Sequence, residues 1–128
     1  MLDSGGLSAL TERSADAIAA LEMSREAVAR VVVPSVVIAE SLRGDAADAR
    51  TNRILSGLAV ADIGEREARE AARLKNASRM TGVQHTIDAL VVAVASVAGG
   101  GAILTSDVGD IGVLAEARPE VQIVPIRV

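Results

Sequence analysis

Four acidic residues stand out by their surroundings. Asp3 lies in LDSGGLSAL, Glu40 interrupts the apolar run of VPSVVIAESLRG, Asp88 opens the apolar stretch of HTIDALVVAVA, and Asp107 follows the β-branched run of GAILTSDVGD. A carboxylate in an apolar segment carries a desolvation cost that Ala or Leu would not, so Glu40 and Asp88 each call for a partner. Two carboxylates ~4 Å apart at an effective dielectric of ~20 repel by ~4 kcal/mol, and four at one place need a cation or shared protons. With no cysteine and one histidine, His85, oxygen donors favour the hard ions Mg2+ or Mn2+ over Zn2+. Asp110, three residues after Asp107, is either a fifth ligand or a solvated first-turn acid.

Gathering these acids requires elements that end in one place. Helical patterns alternate with short β-branched runs, the signature of βαβ units. Residues 7–29 read as helix in two pieces, broken near Thr11 and Ser14; Val31–Pro34 reads as a strand stopped by proline. A helix follows with Ser35 as N-cap and Gly44 as stop, then helix 46–55, strand 58–63 and a charged helix 65–80 ended by Gly82. Thr86 can cap the helix holding Asp88. Strand 101–106, helix 107–117 and strand 121–126 complete the pattern, with Pro125 favouring a sheet edge. Counting a short N-terminal strand, five parallel strands are expected. Ligands of such sheets sit beyond the strands' carboxyl ends, and Asp3, Glu40, Asp88 and Asp107 all fall there. Singly, each has a structural reading: Asp88 and Asp107 as helix-start acids, Glu40 as a polar helix edge, Asp3 as a turn former before Gly5 and Gly6.

Composition narrows the class. The 128 residues suit one domain, 1–128, and the complete lack of Phe, Tyr and Trp leaves an aliphatic core. A net charge of −4 gives no sign of a general nucleic-acid-binding surface, so any such partner must be held by local features. Absence of cysteine is compatible with a reducing cytosol. Met1 and Leu2 alone precede Asp3, leaving no room for a signal peptide, and the uncharged run 89–104 is shorter than a spanning helix and broken by Gly99–Gly101. Those glycines lack the Lys-Ser/Thr of a phosphate loop and read as a turn.

The four segments LDSGGLSAL, VPSVVIAESLRG, HTIDALVVAVA and ILTSDVGDIGVLA resemble, in order and spacing, the four acidic motifs of PIN-domain nucleases. The resemblance covers nearly the whole chain and is most specific in the pairing of IDA with TSDxxD. It implies an α/β fold, a three-layer α/β/α sandwich around a five-stranded parallel sheet. It also implies a metal-dependent endoribonuclease, in compact chains of this size most often a VapC-type toxin acting in the cytoplasm beside a cognate antitoxin, with a homodimer expected. By the resemblance Asp3, Glu40, Asp88 and Asp107 form the catalytic, metal-binding quartet for Mg2+ or Mn2+, supported by the hydroxyls of Ser4 and Thr105. The family carries several apolar residues before its first acid where this chain has two, so a short first strand is expected.

Substrate contacts are less sharply marked. Arg43, Arg50 and Arg53 follow Glu40, and Arg66, Arg69, Arg73, Lys75 and Arg79 lie on the charged helix, where they could meet RNA phosphates; Arg43 is the candidate nearest an acidic motif. The spacings Glu65–Arg69 and Arg66–Glu70 equally describe a solvated ion-paired face. Without aromatic side chains, base stacking is ruled out. His85 reads as a polar residue before a helix rather than a general base. The Ala- and Val-rich helices 14–30 and 87–98 exceed the needs of a small core, so one of them is expected to face a second copy or an antitoxin. A catalytically inactive PIN-like interaction module is the alternative. A phosphoacceptor receiver domain is disfavoured, since it needs paired acids after its first strand and a lysine after its fifth, where this chain ends VPIRV.

Overall fold

Short β-branched runs become strands here because helices cover them, and Ala-rich runs between them become those helices. The computed structural model describes residues 1–128. Helices α1 (Ser4–Thr11) and α2 (Ala15–Glu26) lead into strand β1 (Val32–Pro34), followed by α3 (Ser35–Ser41), α4 (Ala49–Leu55) and β2 (Ala59–Ala61). Next come α5 (Glu65–Ala77), α6 (Thr86–Val97), β3 (Gly101–Thr105), α7 (Val108–Glu116) and β4 (Ile123–Arg127). The two-piece first helical region breaks where Ser14 accepts from the Ala17 N–H and so caps α2. Two expected caps shift by one position: Ser35 and Thr86 are the first helical residues, and Pro34 and His85 occupy the capping positions without a side-chain bond. Arg79, with φ 62°, rather than Gly82, follows the end of α5.

All strand pairing is parallel. β1 pairs with β2 from Val32 opposite Ala59, and β3 pairs with β4 from Gly101 opposite Ile123. Five strands are expected from the sequence; the backbone forms these two pairs, and the N-terminal segment adds one bridge, Leu2 to Leu104. Leu2 N–H donates to Val32 O at 3.0 Å, while Leu104 N–H donates to Met1 O at 2.9 Å and Asp3 N–H to Leu104 O at 3.2 Å. Residues 1–3 thus touch both pairs through single bonds and one bridge rather than a ladder. β4 has β3 as its sole neighbour, so Pro125 lies on an edge where its missing N–H leaves no gap.

The core is aliphatic and centres on α6. Ala89 and Val91 through Ser96 are all buried, and α6 packs against α5, α7 and α3. Small Ala and Val side chains let these helices approach closely, and each buried Val or Leu contributes about 1.5–3 kcal/mol relative to exposure. Leu2, Leu7, Val33, Leu74, Ile103 and Leu114 join the same cluster. Helix 87–98 is thus core, which removes one of the two helices expected to offer a partner surface. Of helix α2, in contrast, only Ala17 is buried, and Met23 is 68% exposed.

One polar cluster is sealed into this packing. Glu70 of α5 is 2% exposed; it accepts from the Ser96 hydroxyl at 2.9 Å and pairs with Arg118 at 3.1 Å and with Arg73. The Glu65–Arg69 pair forms as expected at 2.7 Å, whereas Arg66–Glu70 does not. Glu70 points inward, and a buried carboxylate takes the partners that desolvation makes strongest.

Helix α1 can start at Ser4 only because Gly5 and Gly6 have no side chains. A Cβ on Gly6 would lie 2.3 Å from the Leu104 carbonyl oxygen, and one on Gly5 would lie 2.8 Å from the Ser106 nitrogen. Gly6→Ala is therefore expected to lower stability by about 1–3 kcal/mol through overpacking against rigid backbone. The control Gly57→Ala, whose Cβ would meet only Ile54 O at 3.6 Å, should change little. Equal urea midpoints for the two variants would refute this account of the α1–β3 contact.

Candidate metal centre

The end of the N-terminal segment, the last turn of α3 after β1, the start of α6 and the turn after β3 carry the four predicted acids. Asp3 is buried and caps α1, its Oδ1 accepting from the Gly6 N–H at 2.6 Å. Burial pushes its carboxyl pKa up, the Thr105 hydroxyl and the Gly6 N–H draw it down, and the charges of Glu40 and Asp107 push it up again. Thr105 is fully buried at the end of β3, and its Oγ1 accepts from the Asp107 N–H at 2.8 Å. Asp107 is exposed and caps α7, accepting from the N–H groups of Gly109 and Asp110 at 3.1 Å each. Its structural reading is correct as far as it goes, and its charge still bears on Asp3.

Asp88, in the first turn of α6, carries the strongest electrostatic signature. Its carboxyl pKa rises to about 6, first through burial and then through the charges of Asp3, Asp110, Asp107 and Glu40. All four predicted acids, with Asp110, thus share one electrostatic field. Glu40 is itself exposed on α3, where it lines a polar cleft of ≈ 440 Å³ with Ser4, Ser8, Thr11, Thr51 and Ser106. Ser4 lines that cleft with Glu40 and makes no hydrogen bond to the acids.

Three residues near the site were not assigned to it from the sequence, His85 having been read as a polar residue before a helix. His85 places Nδ1 3.1 Å from Asp110 Oδ2, and ligand atoms of His85, Asp88 and Asp110 all lie within 4.8 Å of one another. Its three-residue spacing from Asp88 on one helix face was the available signal. Ser106 and Arg127 are the others: Arg127 at the carboxyl end of β4 donates to the Ser106 carbonyl at 3.0 Å. Applying the strand-end rule to β4 would have found Arg127. Arg43 is exposed; its backbone N–H serves Asp48, which is held below the usual carboxylate range chiefly by that bond and by further bonds from Gly44 and Asp45. Arg50 is turned back onto the Thr11 carbonyl at 3.3 Å. Lys75 donates to Thr86 at 2.8 Å, and Arg73 is committed to Glu70.

The donor set fits a divalent cation. Carboxylates from separate segments repel one another with no internal cation among the groups acting on Asp88 or Asp3, and a bound cation of charge two removes that repulsion. The fold and site together define an α/β protein with an acidic centre built at the ends of parallel strands. Residues 1–111 match the PIN domain family, and the chain belongs to it. PIN domains are generally metal-dependent nucleases and typically bind a divalent metal. No curated protein matches the chain.

The raised pKa of Asp88 has a definite consequence for metal-free protein. The folded state keeps this proton up to about pH 6, whereas the unfolded chain releases it near ~3.9. Between those values the folded state binds more protons, so stability falls as pH rises from ~4 to about 6 and levels off above. Asp88→Asn is expected to flatten that decline and to gain on the order of 1 kcal/mol at pH 7 in EDTA, after allowance for solvent screening. Urea titrations across this range in both proteins decide it; an unchanged pH profile in the variant would refute the assignment.

Proposed function

We propose that this chain is a Mg2+- or Mn2+-dependent endoribonuclease and the toxin of a toxin and antitoxin pair. The observation that carries the reading is Asp88: a half-buried carboxylate kept beside four other acids, in a chain belonging to a family of metal-dependent nucleases. Asp3, Glu40, Asp88 and Asp107 would hold the ion, and Asp110 adds charge to the same field. When bound, the ion supplies Lewis-acid activation of water and stabilises negative charge on the phosphodiester and its leaving oxygen.

The chain's own residues do the positioning. Thr105 and the Gly6 N–H steady Asp3, and Thr105 also holds the backbone of Asp107, so one buried hydroxyl ties two ligands together. The cleft beside Glu40 offers hydroxyls of Ser4, Ser8, Thr11, Thr51 and Ser106 to phosphate and ribose oxygens. Arg43, with Arg127 at the end of β4, supplies cationic groups for phosphates. In the absence of aromatic residues, recognition rests on phosphates, shape and base edges.

Compact size and the family resemblance support the toxin role and a cytoplasmic site of action. The whole chain is read as one domain around its single core cluster, and the segment 1–3, bonded to both strand pairs, as the middle strand of a five-stranded sheet in a three-layer sandwich. Exposed α2 is the surface offered to an antitoxin or to a second copy in a homodimer. No helix is long and apolar enough to cross a membrane.

The test is cleavage of total cellular RNA by purified protein with Mg2+ or Mn2+, with EDTA, and with Asp88→Asn. Discrete fragments are expected that require metal and fall by about a hundredfold or more in the variant. Because Asp88→Asn should be at least as stable at pH 7, its loss of cutting would not reflect unfolding. Absence of metal-dependent cutting by folded, antitoxin-free protein would replace this reading with that of an inactive interaction module.

A further inference from the structure

We infer that His85 joins Asp88 and Asp110 in a mixed nitrogen and oxygen site for a divalent transition-metal ion, so that this chain prefers Mn2+ to Mg2+. The inference rests on the metal-centre reading above and specifies which ion the centre takes. It starts from geometry. The His85 Nδ1 to Asp110 Oδ2 separation is 3.1 Å, and the ligand atoms of the three residues lie within 4.8 Å of one another. Two ligands at ~2.1 Å from an ion, on adjacent corners of an octahedron, stand about 3 Å apart. The histidine and aspartate atoms already have that spacing.

Local structure leaves the imidazole free for this role. His85 occupies the capping position of α6 but makes no capping bond, so the helix does not use its ring. Its three-residue spacing puts it on the same face as Asp88, and Asp110 arrives from the first turn of α7. The outer nitrogen, Nε2, lies 3.2 Å from the Gln84 side-chain amide, which turns Nδ1 toward the acids. The Gln84 contact to Nε2 at 3.2 Å and the Nδ1 contact to Asp110 at 3.1 Å are both satisfied by the neutral tautomer that carries its proton on Nδ1. A metal ion would take Nδ1 of the other neutral tautomer, whose proton sits on Nε2, where a rotated Gln84 amide would offer its oxygen as acceptor. The ring would change tautomer with no net change in protons, and Gln84 would be the outer partner that metal-bound histidines characteristically have.

The choice of ion follows from donor chemistry. Imidazole binds first-row transition metals well, whereas Mg2+ selects oxygen donors and gives up its water reluctantly. Asp3, Glu40 and Asp107 offer oxygen alone and distinguish the two ions poorly. Only the His85 corner of the centre can discriminate.

The experiment exploits His85 being the sole histidine of the chain. Untagged full-length protein is loaded with Mn2+ and examined by pulsed electron paramagnetic resonance, and Mn2+ and Mg2+ affinities are measured for the wild type and for His85→Gln. A directly bound nitrogen coupling is expected in the wild type and not in His85→Gln. Mn2+ affinity should fall about tenfold in the variant, with Mg2+ affinity changing less than about threefold. Mn2+ bound without nitrogen coupling would overturn this inference, leaving His85 as a hydrogen-bond donor to Asp110 and the metal-centre reading intact. Failure of folded wild-type protein to bind Mn2+ at all would overturn both. Should His85→Gln not fold, the presence or absence of coupling in the wild type alone decides the matter.

Discussion

Like charge held at partial burial is the constraint on which this structure turns. Asp88 has its carboxyl pushed up to about 6 by burial and by Asp3, Asp110, Asp107 and Glu40. A chain free to relax would spread these groups into water, where repulsion at a few ångströms falls to about 1 kcal/mol. The fold prevents that. The N-terminal segment is bonded to both strand pairs, α1 starts against the backbone of β3 at a distance only glycine permits, and Thr105 is sealed beneath Asp3.

Other buried acids show that the chain can neutralise carboxylates when they serve structure. Glu70 receives the Ser96 hydroxyl, Arg118 and Arg73. Asp48 receives backbone N–H groups of Arg43, Gly44 and Asp45 across the turn that starts α4. Around Asp88 the charged neighbours that raise its pKa are all acids. That difference sets the group around Asp88 apart from carboxylates whose charge is already met, and no single carboxylate would reveal it.

Helix α6 links the two regimes. Its Ala and Val side chains fill the core between α5 and α7, its Ser96 closes the Glu70 cluster near its carboxyl end, and its capping position and first turn present His85 and Asp88 to the acidic centre. Because the helix is packed on nearly every side, Asp88 cannot move away from its neighbours without opening the core. Rigidity gained from apolar packing is thereby transmitted to polar groups, the arrangement a preorganised metal centre requires.

Periodicity, proline and glycine marked the order of helices and strands, and the strand-end rule placed Asp3, Glu40, Asp88 and Asp107 on one edge, because backbone preferences and apolar spacing are local properties. Pro125 at an edge and the break near Ser14 were legible for the same reason. Pairing across the fold was not. Glu70 looked like a surface partner of Arg66 until packing turned it inward toward Arg118, and helix 87–98 was one of two candidate docking faces until α5, α7 and α3 enclosed it. His85 looked like a residue before a helix until α7 brought Asp110 to its ring. Each of these depends on which distant segments meet. That is set by how aliphatic faces satisfy one another all at once, a sum over long-range contacts that no local window of residues contains.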